Sequence, residues 1–144
     1  MSAIKTKIEE DIKTAMKARE QHLLLTLRSL MAAVKQVEVD SRKDVEDGDV
    51  LAVLQKEVKK RKEALQYAEK EQRDDLIAQN KAEVAMLQKY LGEQISEADL
   101  RKIIGELVAG GADAIGKVMG ALNKEHKGKF DGKLASEICR SMLG

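Results

Sequence analysis

Apolar residues recur every three or four positions along almost the whole chain, the spacing of amphipathic helices. Ile4, Ile8, Ile12 and Met16 make one stripe; Leu23, Leu27, Leu30, Val34 and Val37 make a second. The polar stretch "DSRKDVEDGD" interrupts the pattern, with Gly48 as breaker and Asp47 or Asp49 as N-cap of a third helix. That helix carries Leu51, Leu54, Val58, Leu65 and Ala68. "KEQRDDL" then turns the chain into a fourth, with Ile77, Val84, Leu87 and Leu91. No run alternates apolar and polar residues, and β-branched and aromatic residues are too sparse for a sheet. The pattern predicts an all-α protein whose N-terminal domain, residues 1–91, packs four antiparallel helices as a bundle.

Gly92 closes the fourth helix, and the punctuation changes from there on. "SEADL" reads as a new helix start, with Ser96 as N-cap and Asp99 at N3 approximating a capping box. Gly110 and Gly111 end that helix, Asp113 caps the next, and Asp131 caps the last. Residues 92–144 are thus expected to form a second domain of three helices, each of about 13 to 15 residues.

Composition agrees with this picture. In 144 residues, 35% are charged, 43% are apolar and none is proline, as in long helices exposed to water on one face. A chain this long buries about two thirds of its unfolded surface without a metal or disulfide staple. Its 26 basic and 25 acidic residues cancel, so any electrostatic signal must be local. Cys139 is the only cysteine, which excludes an internal disulfide and fits a reducing compartment. The start, "MSAIKTKIEE", has no apolar core of signal-peptide length, and no window reaches the roughly 18 apolar residues of a membrane span. A cytoplasmic protein with no membrane partner is expected.

Catalytic chemistry is thinly represented. His22 and His126 are the only histidines, one in each expected domain. No Cys/His cluster has zinc-ligand spacing, and no phosphate-cradling or nucleophile-elbow motif is present, so neither a metal nor a cofactor is expected. Cys139 lies on the inward stripe Ala135–Ile138–Met142 and reads as a small core hydrophobe. His126, between Glu125 and Lys127, reads as a surface residue. No residue is assigned a catalytic role.

Two basic clusters remain. In "KEVKKRK", Lys56, Lys59, Lys60, Arg61 and Lys62 are relieved only by Glu57. At about 100° per residue these five spread around a helix, and Arg61 edges onto the packed face beside Val58 and Leu65. The second cluster is "KVMGALNKEHKGKFDGKL". Residues 93–113 hold five acidic and two basic side chains, a net of −3, whereas residues 117–133 hold five basic and two acidic, a net of +3. The candidate RNA-binding residues are Lys117, Lys124, Lys127, Lys129 and Lys133. Gly116, Gly120, Gly128 and Gly132 interleave with them as candidates for close approach. A glycine inside a helix costs about 1 kcal/mol against alanine, so Gly116 and Gly120 suggest a purpose. Either a partner helix docks there, making the chain a protein-interaction module, or a nucleic-acid backbone approaches. Asp131 as N-cap would occupy an amide and place negative charge at the last helix's start, so phosphates should meet the lysines instead. With one Phe, two Tyr and no Trp, base stacking on aromatics offers little, which points to the shape and backbone of a folded RNA.

The stretches "LLTLRSLMAAVKQVEV", "VLQKEVKKRKEAL", "RDDL", "MLQKYLGEQISEADL" and above all "IGKVMGAL…KGKFDGKL" resemble the GatB/YqeY family from end to end, and its free-standing YqeY-like members most. One departure is visible, Gly92 standing where the family commonly has a proline. The resemblance implies an all-α fold whose last three helices are similar to the tail of the B subunit of tRNA-dependent amidotransferase, which helps hold tRNA during amidation. It implies tRNA as partner and, as protein partners, an aminoacyl-tRNA synthetase or an amidotransferase component. The family's activity is phrased as carbon–nitrogen ligase with glutamine as amide donor. The kinase-like and amidase parts that would perform it have no counterpart here, so an accessory role in translation is expected. Only Lys117 and Lys133 fall within the family's G-K-V-M and D-G-K-L elements; Lys124, Lys127 and Lys129 rest on local charge.

Overall fold

The computed structural model describes residues 2–144. Among them lie seven helices and no strand: α1 (Ala3–Ala18), α2 (Gln21–Ser41), α3 (Asp47–Lys70), α4 (Asp74–Leu91), α5 (Glu97–Ala109), α6 (Ile115–His126) and α7 (Gly132–Leu143). The all-α fold follows the apolar periodicity. Backbone contacts divide the chain into two compact units, Met1–Gly92 and Glu93–Gly144.

In the first unit, α3 and α4 pack as a hairpin, and α1 and α2 pack on each other and on α3. Ile8, Leu27, Leu30, Val34, Val50, Leu54 and Leu87 are all but inaccessible at its centre. The stripe on α1 ends differently from expectation. Met16 is 51% exposed, and Ala15, one residue earlier, takes the inward place. The start of α3 also departs from the sequence reading. Its N-cap is Glu46, whose N–H donates to Asp49 Oδ2 at 3.0 Å, so Asp49 closes the first turn from N3. Asp47 serves a different helix. Its carboxylate accepts from the Ser2 hydroxyl and from Ile4 N at 3.2 Å, while Ser2 Oγ accepts from Lys5 N at 3.1 Å. One carboxylate from the start of α3 therefore closes the start of α1. The hydrogen bond from Ser2, followed by that from Ile4, holds the Asp47 carboxyl below its ordinary range.

Three helices end on a left-handed residue other than glycine. One is α2, where Arg42 has φ 59° and its N–H returns to Glu38 O at 2.9 Å. Arg19 and Gln72 adopt φ of 57° and 53°, and the next amides, Glu20 N and Arg73 N, return to Ala15 O and Ala68 O at 3.1 and 2.9 Å. This is the Schellman closure, made by long side chains despite their left-handed penalty.

Arg61 edges onto the packed face as its position predicts, and its partners explain why. Its Nε lies 2.8 Å from Glu83 Oε2 on α4, close enough for an ion pair although not aligned as a hydrogen bond. Glu57 stands 3.7 Å from the same guanidinium, and His22 Nε2 lies 3.4 Å from the other Glu83 oxygen. The Glu83 side chain is 10% exposed and that of Arg61 17%. On α1, burial pushes the Asp11 carboxyl up, but hydrogen bonds from Tyr90 and Lys7 outweigh it and hold the group below its ordinary range.

The second unit is three helices around Leu100, Ile104, Val118, Leu122, Ile138 and Cys139. Ser96 caps α5. Gly111, at φ 111°, closes it through bonds from Gly111 N to Val108 O and Ala112 N to Leu107 O. Asp113 does not cap α6: the N-cap is Ala114, and Asp113 pairs with Lys117 instead, at 2.8 Å. On α7 the inward stripe ends at Leu143, because Met142 is 39% exposed.

Candidate nucleic-acid interface

The basic hairpin consists of α6, the turn 127–131 and the start of α7. Val118 and Leu122 turn one side of α6 into the core. Gly116, Lys117, Gly120 and Lys124 fall on exposed positions of the same helix. A side chain added at Gly116 or Gly120 would meet nothing within 4 Å. Among the described residues, no other helix of this unit packs against either glycine. Gly132 is equally open, while Gly128 is buried and holds φ 80°, where its lack of a side chain lets the chain reverse.

The turn is fixed from two sides. Phe130 is 5% exposed and anchors it in the core. From the segment before α5, Ile95 N donates to Lys129 O at 2.8 Å and Gln94 Nε2 donates to Gly128 O at 2.9 Å. Asp131 caps α7, its Oδ1 accepting from Lys133 N at 3.0 Å and Leu134 N at 3.3 Å. Two of the α7 amides are thus occupied, and a carboxylate stands where a phosphate would sit.

Lys124, Lys127, Lys129 and Lys133 are all exposed and cluster along the chain at the last turn of α6, the reversal and the first turn of α7. Lys117 stands apart. It is seven residues before Lys124, about 10 Å along the axis, and its ammonium is held by Asp113. Lys124, Lys129 and Lys133 enter no ion pair among the described residues. Gln94 and Ile95 were not legible as part of the site. Their partners lie 34 residues along the chain, and no local spacing announces them.

Cys139 is fully buried, and burial pushes its thiol up rather than down. No described helix is long and apolar enough to cross a membrane.

The sequence matches the family described as Yqey-like protein over residues 5–143. The chain belongs to the YqeY-like family. Among curated relatives, it is 23% identical to the Altered inheritance of mitochondria protein 41, mitochondrial, of Pyrenophora tritici-repentis, over 96% of this chain and 80% of that protein. It is 30% identical to an uncharacterized protein of Schizosaccharomyces pombe, over 62% of this chain and 72% of the relative. A protein of the first name from Eremothecium gossypii is 33% identical over 58% of this chain, an alignment spanning 46% of the longer relative. In this YqeY-like chain the family match runs through both units.

Proposed function

We propose that this YqeY-like protein is a tRNA-binding accessory protein of the cytoplasm, related to the tRNA-dependent amidotransferases and without catalytic chemistry of its own. The observation that carries the reading is the group of exposed lysines without carboxylate partners, Lys124, Lys129 and Lys133, around a turn clamped by Ile95, Gln94 and Phe130. Ammonium groups on a fixed turn suit phosphate oxygens, and they release counterions when phosphates bind. The interface would read backbone and shape, as folded RNA invites.

The test is a salt titration of tRNA binding. Replacing Lys117, Lys124, Lys127, Lys129 and Lys133 by Gln should abolish most affinity without unfolding the chain. Each phosphate that the variant no longer neutralises should lower the magnitude of the log-affinity against log-salt slope by about 0.7 to 0.9. The comparison variant removes Lys56, Lys59, Lys60 and Lys62, which are equally exposed but lie on α3. Equal losses in both would mean diffuse attraction to any basic surface. The open strip at Gly116 and Gly120 favours a second reading, docking of a partner helix, and absence of tRNA binding by the parent would leave that one standing.

A further inference from the structure

A shallow groove of about 410 Å³ on the C-terminal unit adjoins the lysine turn, sharing Lys129 with it. Its floor is Ile95 and Ile103, both partly buried against the unit's core. One ridge of α5 forms a wall, with Asp99, Lys102 and Glu106 at spacings of three and four residues. His126 and Lys129 complete the lining.

The charges on that wall are uncommitted. The capping box expected at α5 is only half made: Asp99 N donates to Ser96 Oγ at 3.2 Å, the reciprocal bond to the Asp99 carboxylate is not formed, and Asp99 is among the residues that line the groove. Lys102 has a carboxylate one turn away in each direction, the spacing at which helical ion pairs form. Yet Asp99, Lys102, Glu106 and Lys129 enter no ion pair among the described residues. Acid, base and acid therefore stand in sequence above an apolar floor.

We propose that this groove takes an unpaired guanine of a bound RNA strand, its face on Ile95 and Ile103 and its Watson–Crick edge on the Asp99–Lys102–Glu106 ridge. Guanine alone among the four RNA bases has two adjacent N–H donors, N1 and N2, beside an acceptor, O6. A carboxylate accepts both donors in one plane, and an ammonium donates to O6. Adenine would turn its N1 lone pair toward the carboxylate, and cytosine and uracil each offer a single donor group. Lys129 is placed for the flanking phosphate, and through it this inference rests on the RNA-binding reading of the hairpin. Single-stranded bases are commonly read in this way, splayed onto a surface and hydrogen-bonded along one edge.

The test uses the full chain and the pentaribonucleotides UUGUU, UUAUU, UUCUU and UUUUU, followed by ¹H–¹⁵N NMR. UUGUU should shift the amides of Ile95, Ile103 and Lys129 and bind about tenfold tighter than the others. Asp99→Asn combined with Glu106→Gln should erase that preference, leaving UUUUU binding unchanged or stronger. Lys102→Met should weaken it in a chain of unaltered circular dichroism. Equal affinity for all four strands, shifts that miss Ile95 and Ile103, or a preference that survives the double variant would overturn the assignment. The two readings fail separately. If tRNA binding depends on the five lysines while the pentamers bind alike, the groove assignment is wrong and the interface stands. If UUGUU is preferred while the five-lysine variant binds tRNA normally, the hairpin reading is wrong, and with it the assignment of Lys129 to the flanking phosphate, and only the base contacts of the groove stand.

Discussion

Arg61→Ala tests the energetics of the N-terminal unit most directly. The substitution leaves the Glu83 carboxylate, 10% exposed, without the guanidinium 2.8 Å away. Removing one partner of a buried ion pair costs about 3 to 5 kcal/mol, because the other charge stays desolvated. Two neighbours soften that cost here, since His22 Nε2 and Gln79 Nε2 each lie 3.4 Å from the same Glu83 oxygen. Arg61 is also 17% exposed rather than fully buried. The expected destabilisation is therefore about 2 to 3 kcal/mol, part of it from the aliphatic stem. The double replacement Arg61→Met with Glu83→Leu removes both charges, keeps the volume apolar and should come within about 1 kcal/mol of the parent. Arg101→Ala is the control: its pair with Glu97 is 51% and 56% exposed, a setting in which an ion pair contributes about 0.5 kcal/mol or less. Urea unfolding of the full chain, followed by NMR cross-peaks of α3 and α4, reads the first unit separately from the second. An Arg61→Ala effect no larger than that of Arg101→Ala would refute the reasoning. So would a double variant as unstable as the single one.

Three further outcomes follow from particular hydrogen bonds and open positions. Asp47, Asp11 and Glu38 all have carboxyls held below the ordinary range, so they contribute stability above about pH 4 that disappears as pH falls through their folded-state values; Asp47→Ala should lower stability at neutral pH by about 1 kcal/mol and flatten the acid limb of an unfolding-against-pH curve. Gly120→Ala, placed mid-helix with nothing within 4 Å, should raise stability by about 0.5 to 1 kcal/mol, and a decrease measured by thermal unfolding would mean that the strip is occupied in the folded protein. Asp131→Ala should destabilise the C-terminal unit by about 1 kcal/mol, because the amides of Lys133 and Leu134 no longer have its carboxylate as acceptor, yet leave tRNA affinity equal or higher; a drop in affinity with the fold intact would mean that Asp131 touches the RNA directly.

The helices were legible because packing imposes a period on each one. Leu27, Leu30 and Val34 face the core for the same reason that they are spaced by three and four. What local spacing could not convey was the choice of partner across the chain. Asp47 has the composition of an N-cap and sits within one residue of the N-cap position, but its carboxylate is spent on α1, which begins more than forty residues earlier. Asp113 looks like a cap for α6, but Lys117 one turn ahead offers a charged partner and takes it. Arg19, Arg42 and Gln72 hide three helix ends, because the tertiary fold imposes a left-handed residue where the sequence supplies no glycine. Met16 and Met142 hide two stripe ends, since a neighbouring residue, Ala15 or Leu143, points inward more directly.

The same distinction applies to the lysines. Charge counting treats all five as equal, but their surroundings do not. Lys117 begins with a carboxylate at 2.8 Å, which already offsets part of the charge that a phosphate would meet. Lys129 sits where its own carbonyl is held by Ile95 and the preceding carbonyl by Gln94, so its backbone is ordered before any ligand arrives. Binding loses free energy when loops must be ordered, and a turn that is already fixed avoids that cost. Neither of the clamping residues is charged, and no count of basic residues would find them. The proposed binding of an anionic partner would therefore depend as much on Gln94, Ile95 and Phe130, which hold the turn, as on the lysines that the turn presents.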